Sequence, residues 1–154
     1  MKINKTNALR ILDNLNIPYD VLTYGDITSG GEAANSLNLD PNMVFKTLVT
    51  VNNNKENYVF MIPVLKTLDL KKASLVVKSK YIEMIPQKEL LPLTGYVHGG
   101  CSPIGMKKTF PTFIDETAML FDHVYFSAGR VGMQVKVETK YLDQLNIKME
   151  DLTV

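Results

Sequence analysis

The run Val44-Phe45-Lys46-Thr47-Leu48-Val49-Thr50-Val51 is followed, across Asn52, Asn53 and Asn54, by Tyr58-Val59-Phe60-Met61-Ile62. Two runs this rich in β-branched and aromatic residues, separated by a turn-forming cluster, predict a hairpin over residues 44–63. Shorter strands are expected at Tyr19 to Tyr24, Thr112 to Asp115, His123 to Ala128 and Met133 to Glu138, with Gly129 to Gly132 turning between the last two. In the final strand Met133, Val135 and Val137 alternate with Gln134, Lys136 and Glu138, which predicts one wet face. Helical spacing recurs in Ala8, Leu9, Ile11, Leu12 and Leu15 behind Thr6 and Asn7, and in Leu70, Ala73, Val76 and Val77 behind Asp69. Further helices are expected over Glu32 to Leu39, Gln87 to Leu91 and from Tyr141 to Leu145, with a loop between Ile27 and Gly31. Helices and strands interleave without a repeat or a linker. The expected class is therefore α/β (α+β) in a single domain over residues 1–154: a mixed, mostly antiparallel sheet, curled or closed into a barrel around a pocket, with helices outside.

Much ordinary chemistry is excluded by what is missing. No stretch approaches the roughly 18 uninterrupted apolar residues of a membrane span, and the opening residues alternate charge with apolar side chains rather than forming a signal-peptide core. The one cysteine, Cys101, has no internal partner for a disulfide, and neither a CxxC pair nor a His/Cys cluster stands ready for zinc. A reducing, cytoplasmic setting fits that usage. There is no G-x-S-x-G elbow, H-E-x-x-H helix, P-loop or G-x-G-x-x-G turn, and His98 and His123 are the only histidines. A conventional protein nucleophile is not expected. The net charge of +1 does not advertise nucleic-acid binding, although Lys66, Lys71, Lys72, Lys78 and Lys80 concentrate basic charge in one stretch.

Three features remain. Lys46 shares a strand face with Val44 and Leu48, so its ammonium is either a snorkelling edge charge or is aimed into a pocket to stabilise negative charge. Residues 94–105 hold Gly95, Gly99, Gly100 and Gly105 with Pro103, a density that suits an ordinary turn or a loop offering main-chain N–H groups to a ligand. Ser127 ends a strand ahead of Gly129, where its hydroxyl is free to face a pocket mouth. Cys101 has no histidine beside it in sequence and reads as a small buried thiol.

The strings Lys5 to Ala8, Gly31 to Ala34, Phe45-Lys46-Thr47-Leu48-Val49, Leu68 to Ala73, Thr94 to Val97, Gly99 to Lys108 and Tyr125 to Gly132 together resemble the YbaK/EbsC group of Cys-tRNA(Pro) deacylases, relatives of the editing domain of bacterial prolyl-tRNA synthetases. The resemblance covers nearly the whole chain and is carried most specifically by GGCSPIGMKK with FKTLV upstream. It implies hydrolysis of the ester between a wrong amino acid and the terminal ribose of proline tRNA, without metal or cofactor. It also implies that the substrate's own thiol attacks the ester, forming a thiolactone and expelling tRNA. Lys46 matches the family's essential lysine, Gly99 and Ser127 its pocket glycine and serine, and Tyr24 a pocket tyrosine; the resemblance implies Lys46 and Ser127 as catalytic residues and Tyr24, Gly99, Gly100, Ser29 and Gly129 as substrate-binding ones. Lys107, Lys108, Arg130, Lys71 and Lys72 are the expected tRNA contacts, and prolyl-tRNA synthetase the expected protein partner. Two positions depart from the family pattern: Ser29 stands where an aromatic residue is common, and Arg130-Val131 replaces a Lys-Arg pair. Removal of alanine or another small amino acid by water, or a non-catalytic tRNA- or synthetase-binding role, are the competing expectations.

Overall fold

The structure, a computed structural model, describes residues 5–24 and 34–154. Ser29 and the loop expected over 27–31 lie outside the described residues.

Helix α1 (Asn7–Asn14) is set by Thr6, whose hydroxyl accepts from the N–H of Leu9 at 3.2 Å and donates to the carbonyl of Ala128. One residue thus caps the helix and ties it to a strand more than a hundred residues away. The chain leaves α1 through Asn16 at φ +57° and Pro18, and enters β1 (Tyr19–Thr23). Strands β2 (Phe45–Asn52) and β3 (Asn57–Pro63) form the expected hairpin, with Lys46 opposite Ile62 and Thr47 opposite Met61. Asn52 shapes its turn: the side-chain carbonyl accepts from the N–H groups of Asn54 and Glu56. Helix α2 (Leu70–Val76) starts at Asp69, whose carboxylate accepts from the N–H groups of Lys71 and Lys72. The short strand β4 (Ile82–Met84) follows, then a 3-10 turn, Gln87–Glu89, that runs into α3 (Leu90–Thr94). Strands β5 (Thr112–Asp115), β6 (His123–Arg130), β7 (Met133–Glu138) and β8 (Ile147–Glu150) complete the chain.

The mixed sheet expected around a pocket is realised as two sheets. One is antiparallel in the order β1-β7-β6; the other runs β4-β2-β3-β5-β8, antiparallel across β4-β2-β3 and parallel across β3-β5-β8. They meet at a parallel bridge between Val44 and Tyr125. The largest core lies between them, where Phe45, Met61 and Ile114 of one sheet meet Val124, Phe126 and Val135 of the other under Leu9 and Leu12 of α1. Phe60 and Ile62 point to the opposite face of β3 and pack on Ala73 of α2, Ile82 and Leu152. Both faces of β3 are covered, which is why residues 59–62 read as a continuous apolar run rather than an alternation.

Two expectations differ from the structure. No closing helix forms from Tyr141: a 3-10 turn at Thr139–Tyr141 leads through Asn146 at φ +58° into β8. Five residues are too few to repay helix nucleation when burying Leu142 and Leu145 already holds the chain. The expected wet face of β7 is also interrupted, because Gln134 is only 5% exposed. Its neighbours in register are Ser127 of β6 and Leu22 of β1, so it sits in the centre of the three-stranded sheet.

Candidate active site

Strand β2 pairs with β4 only from Thr50 to Asn52, so its first half leaves an open edge. The carbonyl of Val49 accepts from the N–H of Ile85 at 3.2 Å on this side. Strand alternation therefore turns the main-chain N–H and C=O of Thr47 to the same edge, beyond the reach of β4. A cavity of about 460 Å³ opens there, with residues 45–49 as one wall and Ser127 and Gln134 of the other sheet in its lining.

Of the residues singled out from sequence, Tyr24, Lys46, Gly99 and Ser127 all line this cavity. Gly100 and Gly129 are not among its lining residues; they shape its walls. Gly99 has φ +83°, a conformation in which glycine is free of side-chain strain. A Cβ on Gly100 would stand 2.7 Å from the main-chain nitrogen of Val131, so the glycine-rich loop packs directly on the β6–β7 turn. The N–H of Gly129 donates to Ser127 Oγ at 3.2 Å. With that lone pair occupied, the hydroxyl proton of Ser127 remains available to a ligand.

Lys46 is half-buried, and its pKa is lowered from 10.5 because burial penalises the ammonium. Among the described residues no carboxylate pairs with it. An unpaired cation in a partly apolar cleft interacts far more strongly with a developing anion than it would in water. Cys101 also lines the cavity, but burial pushes its thiol up to about 12, against a smaller opposing effect of a hydrogen bond with Thr94. It is a protonated part of an apolar floor shared with Phe45, Val49, Ile85 and Leu90.

Four further polar lining residues escaped the reading of the sequence: Thr47, Gln87, His98 and Gln134. His98 carried a signal in its place beside Gly99, whereas Gln134 was hidden in an apparently solvated alternation. The Gln134 amide nitrogen donates to the hydroxyl of Tyr24 at 3.3 Å.

The basic residues separate into groups on different elements. Lys107 lays its stem over Gly95 and donates to the carbonyl of Pro92, with exposed Lys108 beside it. Arg130 is exposed at the end of β6. Lys71 is exposed in the first turn of α2, while Lys72 bonds the Asp151 carboxylate at 3.0 Å and the carbonyl of Thr153 at 2.8 Å, fastening α2 to the C-terminal residues.

Residues 26–145 match the model of the family described as the aminoacyl-tRNA editing domain. The chain is 42% identical over 136 residues to a protein of Enterococcus faecalis named "Putative Cys-tRNA(Pro)/Cys-tRNA(Cys) deacylase EbsC", covering 86% of this chain and 83% of that protein. Among solved structures it superposes on a hypothetical protein with a TM-score of 0.89 at 18% identity, covering 97% of this chain and 100% of the other. It also superposes on "a putative trans-editing enzyme for prolyl tRNA synthetase" with a TM-score of 0.82 at 23% identity, covering 99% of each chain. These two likenesses speak for the fold, and the family match with the close relative places the sequence: the chain belongs to the YbaK/EbsC-type family of aminoacyl-tRNA editing domains.

Proposed function

We propose that this protein is a trans-editing deacylase that removes cysteine from mischarged proline tRNA, working in the cytoplasm alongside prolyl-tRNA synthetase. The observation that carries the reading is the Lys46 ammonium, which pairs with no carboxylate among the described residues, in a cavity whose thiol, Cys101, is held protonated. Such a site is equipped to stabilise charge and to position a substrate, and it needs a nucleophile from elsewhere. The cysteinyl group carries one.

In the proposed step the substrate thiol loses its proton, the sulfur attacks the ester carbonyl carbon, and the C–S bond forms as the C–O bond to the ribose breaks. The leaving ribose oxygen takes up a proton, releasing tRNA and a cysteine thiolactone that water opens. A free thiol titrates near 8.5, and a nearby ammonium lowers that value. Lys46 serves this purpose, and Gly99 supplies a main-chain contact. Ser127 and Tyr24 orient the thiol and the ribose. Folding the aminoacyl group into a near-attack shape makes the reaction intramolecular, the larger part of the advantage such a pocket can supply. The exposed Lys107, Lys108, Arg130 and Lys71 are the proposed contacts to tRNA phosphates, and Lys72, which bonds Asp151, is the fifth.

The test is release of amino acid from Cys-tRNA(Pro), Ser-tRNA(Pro) and Ala-tRNA(Pro) by the purified protein. Rapid loss of cysteine alone is the expected outcome. Equal loss of alanine would replace the substrate thiol with water as the nucleophile, because a pocket by itself does not strongly reject so close an isostere. No loss from any ester, with prolyl-tRNA synthetase present, would make the domain a binding module.

A further inference from the structure

Among the described residues two buried side-chain atoms lack a hydrogen-bond partner, Thr47 Oγ1 and Gln134 Oε1, and both residues line the same cavity. A buried acceptor without a partner is costly, by about 1–3 kcal/mol, and in a folded protein it asks for an explanation. Gln134 is 5% exposed and its amide nitrogen is turned to the Tyr24 hydroxyl, which leaves the carbonyl oxygen as the free atom. On the open edge of β2, Thr47 carries an orphaned hydroxyl together with a main-chain carbonyl to which no described residue donates. The cavity lining therefore includes acceptors from both sheets, while its described residues contain no aspartate or glutamate.

We infer that Gln134 and Thr47 recognise the α-amino group of the aminoacyl moiety, Gln134 Oε1 and Thr47 accepting its N–H donors. This rests on the deacylase reading above and adds to it a subsite for the one group common to aminoacyl esters and absent from other esters. An ammonium has three donors and no acceptor, which matches this set. A neutral acceptor also suits the task. The α-amino group titrates near neutrality, at about 7.7–8.0, and an amide oxygen accepts from either protonation state. The terminal torsion of glutamine is soft, so the amide turns its oxygen to an arriving donor with little strain.

The experiment compares binding of two non-hydrolysable 3′-amide analogues of cysteinyl adenosine, one complete and one lacking the α-amino group, with a 2′-deoxy form of the first as a third arm. Calorimetry on the full chain should give the complete analogue an advantage of about tenfold or more over the desamino form, the scale of a hydrogen bond to a charged group. Gln134→Leu should abolish most of that advantage by weakening the complete analogue far more than the desamino form, and Gln134→Glu should restore it. A purely structural role would weaken both analogues alike, and that result overturns the proposal. So does an advantage that survives Gln134→Leu, or a Gln134 dependence that follows the 2′-hydroxyl instead. If the wild-type protein deacylates Cys-tRNA(Pro) while any of these is seen, the α-amino subsite falls alone; if it binds no analogue and cleaves no ester, both readings fall together.

Discussion

Lys46 sits where stability and activity pull in opposite directions. In the unfolded chain its ammonium has the ordinary pKa of 10.5, and in the folded protein burial lowers it. Between the two values the unfolded state binds more protons, so stability rises with pH through that window; below it the charged, partly desolvated lysine is a standing cost. Lys46→Met is therefore expected to raise the melting temperature at neutral pH while abolishing deacylation, as paired thermal denaturation and activity measurements would reveal. Cys101→Ala tests the opposite case. Because its thiol is pushed up to about 12, the variant should keep most of the activity and lose about 1 kcal/mol of stability to the small void. A folded but inactive Cys101→Ala protein would make that thiol the nucleophile. Sequence reasoning reached Lys46 because a lysine inside a β-branched strand conflicts with its neighbours. It missed Gln134 because period-2 alternation distinguishes the two faces of a strand and says nothing of which polar face a second sheet later encloses.

At the scale of elements, the pocket depends on where strands stop. The hairpin, the Asp69-capped helix and the strand at Thr112–Asp115 were legible because propensity, capping and turn chemistry agreed there. Strands β4 and β8 were not, because an apolar–charged alternation of three or four residues is too short to stand out. The open edge beside β4 is a product of that shortness. The joint between the glycine-rich loop and the β6–β7 turn is equally specific: Gly100→Ala puts a methyl group 2.7 Å from a main-chain nitrogen, with no flexible side chain to yield. It should cost about 1–3 kcal/mol and depress activity by displacing Gly99. Thr6→Ala removes both a helix cap and an anchor to Ala128, and a loss of about 1–2 kcal/mol is expected in chemical denaturation.

For the whole molecule, a net charge of +1 means that affinity for tRNA comes from placement of a few cations rather than from a general field. Replacing Lys107 and Lys108 together should flatten the salt dependence of kcat/KM, by about 0.7–0.9 logarithmic units for each phosphate no longer neutralised, and leave cleavage of a minimal cysteinyl-adenosine ester unchanged. Two sheets that meet at the Val44–Tyr125 bridge line a cavity that brings together Lys46 from a strand edge, Gly99 from a loop and Ser127 from a strand end. That convergence is the centre of the account, and single-turnover deacylation of Cys-tRNA(Pro) by wild-type and Lys46→Ala protein tests it most directly. A fall of about 10²–10³-fold in a variant that retains its fold is the predicted result; an unchanged rate would remove the ammonium from the mechanism.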